Sequence, residues 1–210
     1  LRGSSEQISS NVVYSRPAFD RAMATVNGSL AYTATDALRG LPGATLLVPQ
    51  GNPSSPFGRD VALQRYTSSD PLHQRTSTLD GHLGLGLTGD RGQWRWTLTG
   101  NYDRTETRTR TERGPDTTAL QDAITAGAAP FGPLDEELLG AMRTDRARSV
   151  ANSGELQALL GGPIVRLPAG SINTTLRAGL DYTRLDSSSV RAGVRQSADL
   201  DRRNANAQFN

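Results

Sequence analysis

The stretch GQWRWTLTGNYDRTETRTRTERG, residues 92–114, alternates strictly from Gln93 onward. Trp94, Trp96, Leu98, Gly100 and Tyr102 fall on one side; Gln93, Arg95, Thr97, Thr99, Asn101 and Asp103 fall on the other. Successive side chains of a strand face opposite ways, so this is a long strand with one apolar and one polar face. After Tyr102 the apolar face stops, while the Thr/Arg/Glu alternation continues. A fold must therefore accommodate a strand that is apolar on one face for only part of its length.

Residues 78–88 alternate in the same way. Leu79, Leu83, Leu85 and Leu87, with Gly81, oppose Asp80, His82, Gly84 and Gly86. Gly89-Asp90-Arg91-Gly92 has turn composition. A two-residue loop at Asp90-Arg91 pairs Leu87 with Trp94, Leu85 with Trp96, Leu83 with Leu98, Gly81 with Gly100 and Leu79 with Tyr102. It also sets Arg75 opposite Glu106, a favourable cross-strand pair. A second hairpin turns at Pro168-Ala169-Gly170, and a three-residue turn there pairs Leu156 with Tyr182 and Ala158 with Leu180. Residues 22–34 alternate too, residues 204–210 begin another run, and residues 8–15 read as a weaker strand before a turn at Arg16-Pro17.

These signals predict strands near 8–15, 22–34, 76–88, 93–112, 148–166, 171–186 and 204–210. The connections alternate between short turns and long stretches, about 35–74, 114–147 and 187–203. The first long stretch, with five prolines between Pro42 and Pro71, is expected to be irregular. The second is expected to hold two short helices, one capped by Asp116 and ending near Gly127, the other over 133–146. Segregated short turns and long loops are the layout of an outer-membrane barrel. The fold class read from the sequence is all-β: an antiparallel up-and-down meander, part of a large transmembrane β-barrel with long extracellular loops. The rival is a soluble hairpin protein with its tryptophans in a sandwich core.

Spacing supports the membrane reading. Tyr102 lies eight residues from Trp94 on the same face, about 26 Å along the strand. A tilt of about 40° reduces this to roughly 20 Å along a membrane normal, close to the apolar band of such barrels. Trp94 and Trp96 then belong to the periplasmic aromatic girdle, and Tyr32, Tyr102 and Tyr182 to the outer one. Arg104, Glu106, Arg108 and Arg110 face water beyond the lipid.

Composition excludes other classes. There is no Cys, hence no disulfide framework and no thiolate metal site. The net charge of +2 is too small to argue for nucleic acid. All 23 basic residues are Arg, and no apolar run is long enough for a transmembrane helix. The chain opens at Leu1 rather than Met and closes at Phe209-Asn210 inside an alternating run, which is expected of a fragment of a longer product.

Two stretches carry a family resemblance. Gly162-Pro163-Ile164-Val165-Arg166-Leu167-Pro168-Ala169-Gly170, continuing to Leu176-Arg177-Ala178-Gly179-Leu180-Asp181-Tyr182, resembles the hairpin "GPL..LPAG.....L.AG.EYR" of TonB-dependent outer-membrane receptors. Val48-Pro49-Gln50-Gly51-Asn52-Pro53-Ser54-Ser55-Pro56-Phe57-Gly58 resembles their "P.GNPFNPFG" loop. ALQDAITAGAAPFG, residues 119–132, is similar to their outer loop with a short helix before "NPF". Ser54, Ser55 and Asp181 depart from an aromatic, Asn and Glu at those places. The resemblance implies a plugged barrel of the 22-stranded type. Such a receptor takes up a small-molecule or glycan ligand across the bacterial outer membrane, coupled through its plug to the TonB energising complex. This chain would supply about six or seven strands and no plug domain. Alternatives are a passive outer-membrane pore or autotransporter barrel, or a soluble all-β surface binding module.

No enzyme activity and no cofactor are expected: no G-x-S-x-G motif occurs, and no third ligand accompanies Asp80 and His82. A metal or a His–Asp acid/base pair at His82 is weighed against a hydrated lumen wall, which is preferred. Asp80, His82, Arg95, Asn101, Asp103, Arg177 and Asp181 all fall on the polar face as candidate ligand or plug contacts. The Arg/Thr ladder from Arg104 to Arg113 reads as a solvated face paired with acids, with an anionic ligand or lipopolysaccharide phosphates as the alternative. Gly84 and Gly86 are expected to let a bulky neighbour approach.

Overall fold

The computed structural model describes residues 3–19 and 21–210. Seven long strands form one antiparallel meander: β1 (Ser4–Ala18), β2 (Ala22–Leu38), β5 (His73–Arg91), β6 (Trp94–Pro115), β7 (Met142–Leu167), β8 (Gly170–Arg191) and β9 (Val194–Phe209). Each strand pairs with its neighbour in that order, leaving β1 and β9 as the open edges of the described sheet. β3 (Gly43–Val48) and β4 (Val61–Tyr66) form a separate hairpin. The one α-helix among the described residues is α1 (Thr118–Thr125).

Turn chemistry sets the register and moves it from the expected one. Between β5 and β6 the turn is Gly92-Gln93, not Asp90-Arg91, because Gly92 supplies the positive φ of 67° that tight hairpin turns demand. Leu87 therefore meets Leu98, Leu85 meets Gly100, Leu83 meets Tyr102 and Leu79 meets Glu106. Arg75 stands opposite Arg110 and not Glu106. Between β7 and β8 the turn is the two residues Pro168-Ala169, with an irregularity between Pro163 and Val165. Leu156 pairs with Leu180, and Gly154 with Tyr182. The pairing moves by four residues across β5 and β6 and by two across β7 and β8; both are even numbers, which keeps every side chain on its expected face. The first turn also lies further on: Pro17 is inside β1, an edge strand that tolerates a missing N–H, and Ala18 pairs with Ala22.

The third long loop is absent. β8 continues to Arg191, turns through Ala192 and Gly193, both at positive φ, and returns as β9. These strand ends are polar, so hydrophobic alternation did not mark them. Residues 133–146 do not form a helix either: only Glu136–Leu138 makes a 3-10 turn, and Met142 already starts β7.

The first long connection is irregular only in part: β3 and β4 form a hairpin within it, while residues 49–60, with Pro49, Pro53 and Pro56, carry no strand or helix. β3–β4 packs on α1, and Leu46, Val48, Leu120 and Ile124 make the buried apolar cluster there. Gln121 locks the two together, its amide donating to the Leu47 carbonyl and accepting from the Leu47 N–H, each at 2.8 Å. Buried Asn52 donates to the carbonyls of Ile124 (2.8 Å) and Ala128 (3.1 Å) and accepts from Ser54 N–H at 2.9 Å. The Asn-Pro loop thus closes the C-terminal end of α1.

Among the described residues the sheet has no second layer. Its apolar face is open, with Ile8, Val12, Leu30, Leu83, Leu180 and Phe209 all more than half exposed. Residues paired across the sheet form rows perpendicular to the strands, and the apolar zone crosses those rows obliquely. In the row of Glu106, Ile8, Tyr32 and Leu79 are apolar on β1, β2 and β5, while Asp186 and Asp199 are charged on β8 and β9. In the row of Leu98, Arg16 is charged on β1, while Ala178 and Ala207 are small and apolar on β8 and β9. From Ile8 on β1 to Ala205 on β9 the upper margin drops about 20 Å over about 29 Å of sheet width, an angle of about 35° to the perpendicular.

Candidate functional site

All seven predicted site residues lie on the polar face, but they form three separate groups. The first is central. His82 and Asp103 are directly opposed on β5 and β6, with Nδ1 of His82 2.6 Å from Oδ1 of Asp103. One pair toward the loop end, Thr105 donates to Asp80 at 2.6 Å. The sequence reading set Thr99 and Asn101 opposite these groups, and the four-residue register shift replaces them with Asp103 and Thr105. Every polar atom of this cluster with a partner is bonded within the wall. No group of three or more His, Asp or Glu residues suited to a metal ion occurs among the described residues.

The second group is a row across the polar face: Asn27, Gly84, Asn101, Glu155, Asp181 and Asn204. The Asn27 side chain lies over Gly84, where a Cβ would fall 1.9 Å from its Oδ1, so this glycine is required for the approach. Gly86 has only ordinary contacts. Glu155 and Asp181, two carboxylates, stand directly opposite each other. Glu155 accepts from Gln157, and Asp181 accepts from Asn204 at 3.4 Å. Glu155 was missed because the expected register placed Thr183 opposite it.

The third group is at the turn end. Arg95 bonds Asp90 at 3.1 Å, and Arg177 donates to Gln157 at 3.0 Å. Arg95 is eight residues from Asp103, about 26 Å along the strand, so the seven residues do not share one pocket.

The other face carries a second charged region, at the loop end beyond the apolar zone. Glu106 accepts from Arg108 at 2.8 Å and Arg148 at 2.9 Å, with Arg104 at 3.4 Å. Bonds from Arg148 and then Arg108 hold its carboxyl down at about 2. Asp36 bonds His73 at 2.7 Å and Arg75 at 3.0 Å, which lowers its pKa, His73 being the larger cause. On the polar face, Asp145 accepts from Arg113 at 2.6 Å and from Ala192 N–H at 3.2 Å; it ties the β8–β9 turn to β7.

At the turn end of the apolar face, Trp96 lies against Gly89 and Trp94 against Gly162. Phe209 shares the Trp96 row through Leu160 and Leu176. Among the described residues no helix is long and apolar enough to cross a membrane, which leaves crossing by strands open. Comparison with family models, with curated proteins and with solved structures found no match.

Proposed function

We propose that this chain is a wall segment of a bacterial outer-membrane β-barrel, and that the barrel is a ligand-uptake receptor of the TonB-dependent type. The observation that carries the membrane part is the oblique, uncovered apolar zone. An apolar face of this extent in water drives association, and nothing among the described residues covers it. Its angle of about 35° agrees with the tilt of about 35–45° at which strands of such barrels cross a bilayer. Trp94, Trp96 and Phe209 stand at one margin, and Tyr32, Tyr102 and Tyr182 toward the other, as aromatic girdles do.

On this reading the polar face lines the lumen and the docked β3–β4/α1 unit stands outside the cell. β1 and β9 pair with further strands, since unpaired edges are not tolerated in hydrocarbon. The receptor assignment rests on the sequence resemblance, to which the docking of the Asn-Pro loop on α1 adds a structural reason for the Asn. His82, Asp103, Asp80 and the Glu155–Asp181 row are then wall groups that meet a plug or a passing small-molecule or glycan ligand. Energy would come from the TonB complex through a plug outside this chain.

The test is fractionation of source cells with an antibody to residues 104–114. A band several times larger than 22.4 kDa, in the outer membrane and shifted on gels by heating, is expected. A soluble band would refute the membrane placement in favour of a surface binding module. An outer-membrane band with no plug sequence in its polypeptide would refute the receptor assignment in favour of a passive pore or autotransporter.

A further inference from the structure

On the apolar face, beyond its upper margin, a groove of about 630 Å³ runs across the loop end of the sheet. Six arginines line it: Arg75, Arg108, Arg110, Arg146, Arg148 and Arg195, against two lining carboxylates, Glu6 and Asp36. Their arrangement costs stability. Arg75, Arg110 and Arg146 are directly opposed on three adjacent strands, and Arg108 opposes Arg148 in the next row. Like charges facing each other across a sheet are destabilising. Asp36 balances Arg75, and Glu106 balances Arg108 and Arg148. Arg110, Arg146 and Arg195 have no ion-pair partner among the described residues. An unbalanced row of guanidinium groups, each a planar fork of donors, matches phosphate oxygens.

We infer that this groove binds the phosphate groups of a multiply phosphorylated glycolipid headgroup in the outer leaflet. The choice of a lipid source rests on the outer-membrane placement above. Tyr32 lines the groove at its lower side, so the groove starts where the apolar zone ends. Arg108 lies six residues beyond Tyr102, about 20 Å along the strand and roughly 15 Å along the normal at the usual tilt. Sugar-borne phosphates above the acyl chains occupy that height, and the face is the one turned toward lipid. A lumen-bound ligand would not reach it.

The polypeptide that carries this chain, purified in detergent, is titrated with rough lipopolysaccharide, with the same glycolipid dephosphorylated by hydrogen fluoride, and with inorganic pyrophosphate. Binding is read by native mass spectrometry. The phosphorylated glycolipid is expected to bind, and the dephosphorylated one at least tenfold more weakly. The double variant R110Q/R146Q loses about tenfold or more, since a hydrogen bond to a charged group contributes about 1.5–3 kcal/mol. It keeps or gains thermal stability because the repulsion is relieved, which a purely structural role would not predict. The charge-matched R59Q/R166Q, neither residue of which lines the groove, binds as the parent does. Glycolipid binding that ignores R110Q/R146Q overturns the site. Pyrophosphate binding as tight as glycolipid, with the same variant sensitivity, overturns the lipid source and leaves a soluble-phosphate site. If the polypeptide proves soluble without detergent, the membrane placement fails separately, and the pyrophosphate arm alone decides whether the arginines hold phosphate.

Discussion

Placing one charge on the apolar face tests the membrane reading directly. Leu85 is in the middle of the apolar zone, between Val26 and Gly100 in its row, and 41% of it is exposed. If that exposed part faces hydrocarbon, Leu85→Arg brings a guanidinium close to the bilayer midplane. The cost there is about 2–4 kcal/mol, or a shift of roughly 30- to 1,000-fold in the folding equilibrium. Leu79→Arg, six residues nearer the loop end and about 20 Å along the strand, is in the row of Glu106. The same charge at the interface costs only about 0–1 kcal/mol. Thr99→Arg is at nearly the depth of Leu85 but on the polar face, opposite Gly86 and Gln157, and is expected to be tolerated. The assay is urea-driven unfolding and refolding of the native polypeptide in lipid vesicles, followed by tryptophan fluorescence. The order L85R far above L79R and T99R is the prediction. Equal costs for L85R and T99R, or a larger cost for T99R, would refute the assignment of lipid and lumen faces.

Three further predictions follow from individual contacts. The Glu106 carboxyl, held at about 2 against an ordinary 4.5, contributes stability that is complete above pH 4.5 and lost as pH falls toward 2; Glu106→Gln should flatten that acid limb in pH-dependent unfolding. Asn52→Ala leaves the Ile124 and Ala128 carbonyls and the Ser54 N–H unpaired, at about 1–3 kcal/mol. Hydrogen exchange should quicken in residues 43–66 and 118–139 while the sheet keeps its protection. In Gly89→Ala the new Cβ falls 2.7–2.9 Å from the Trp96 indole, so the ring must move, and a shifted tryptophan emission with a lower unfolding midpoint is expected.

The faces of the strands were legible because alternation depends only on residue order. All seven candidate residues lie on the polar face for that reason. The docked unit was less legible. Its core needs Leu46 and Val48 from one connection and Leu120 and Ile124 from another, and no local pattern links them. The polar extensions of β8 and β9 carry no hydrophobic signal, although Ala192-Gly193 marks their turn.

The register error has a more instructive cause. Matching apolar with apolar residues across β5 and β6 set Tyr102 level with Leu79, so that the apolar margin ran straight across the strands. That criterion assumes a boundary perpendicular to the strands. Where strands cross a boundary at about 35–45°, the best register cannot match like with like at the margins, because one strand has left the apolar zone while its neighbour is still inside. Leu79 opposite Glu106 is such a mismatch, and Tyr32 two strands from Glu106 is another. Gly92 carried the correct information, since only one turn position there needs a positive φ. The offset between the turn-defined register and the hydrophobically matched one is four residues at this step, about 13 Å over a strand spacing of about 4.8 Å. Averaged over the sheet, where other steps are level, such offsets accumulate to the oblique margin. The tilt was therefore contained in the conflict between two sequence signals, and resolving that conflict in favour of hydrophobic matching concealed it.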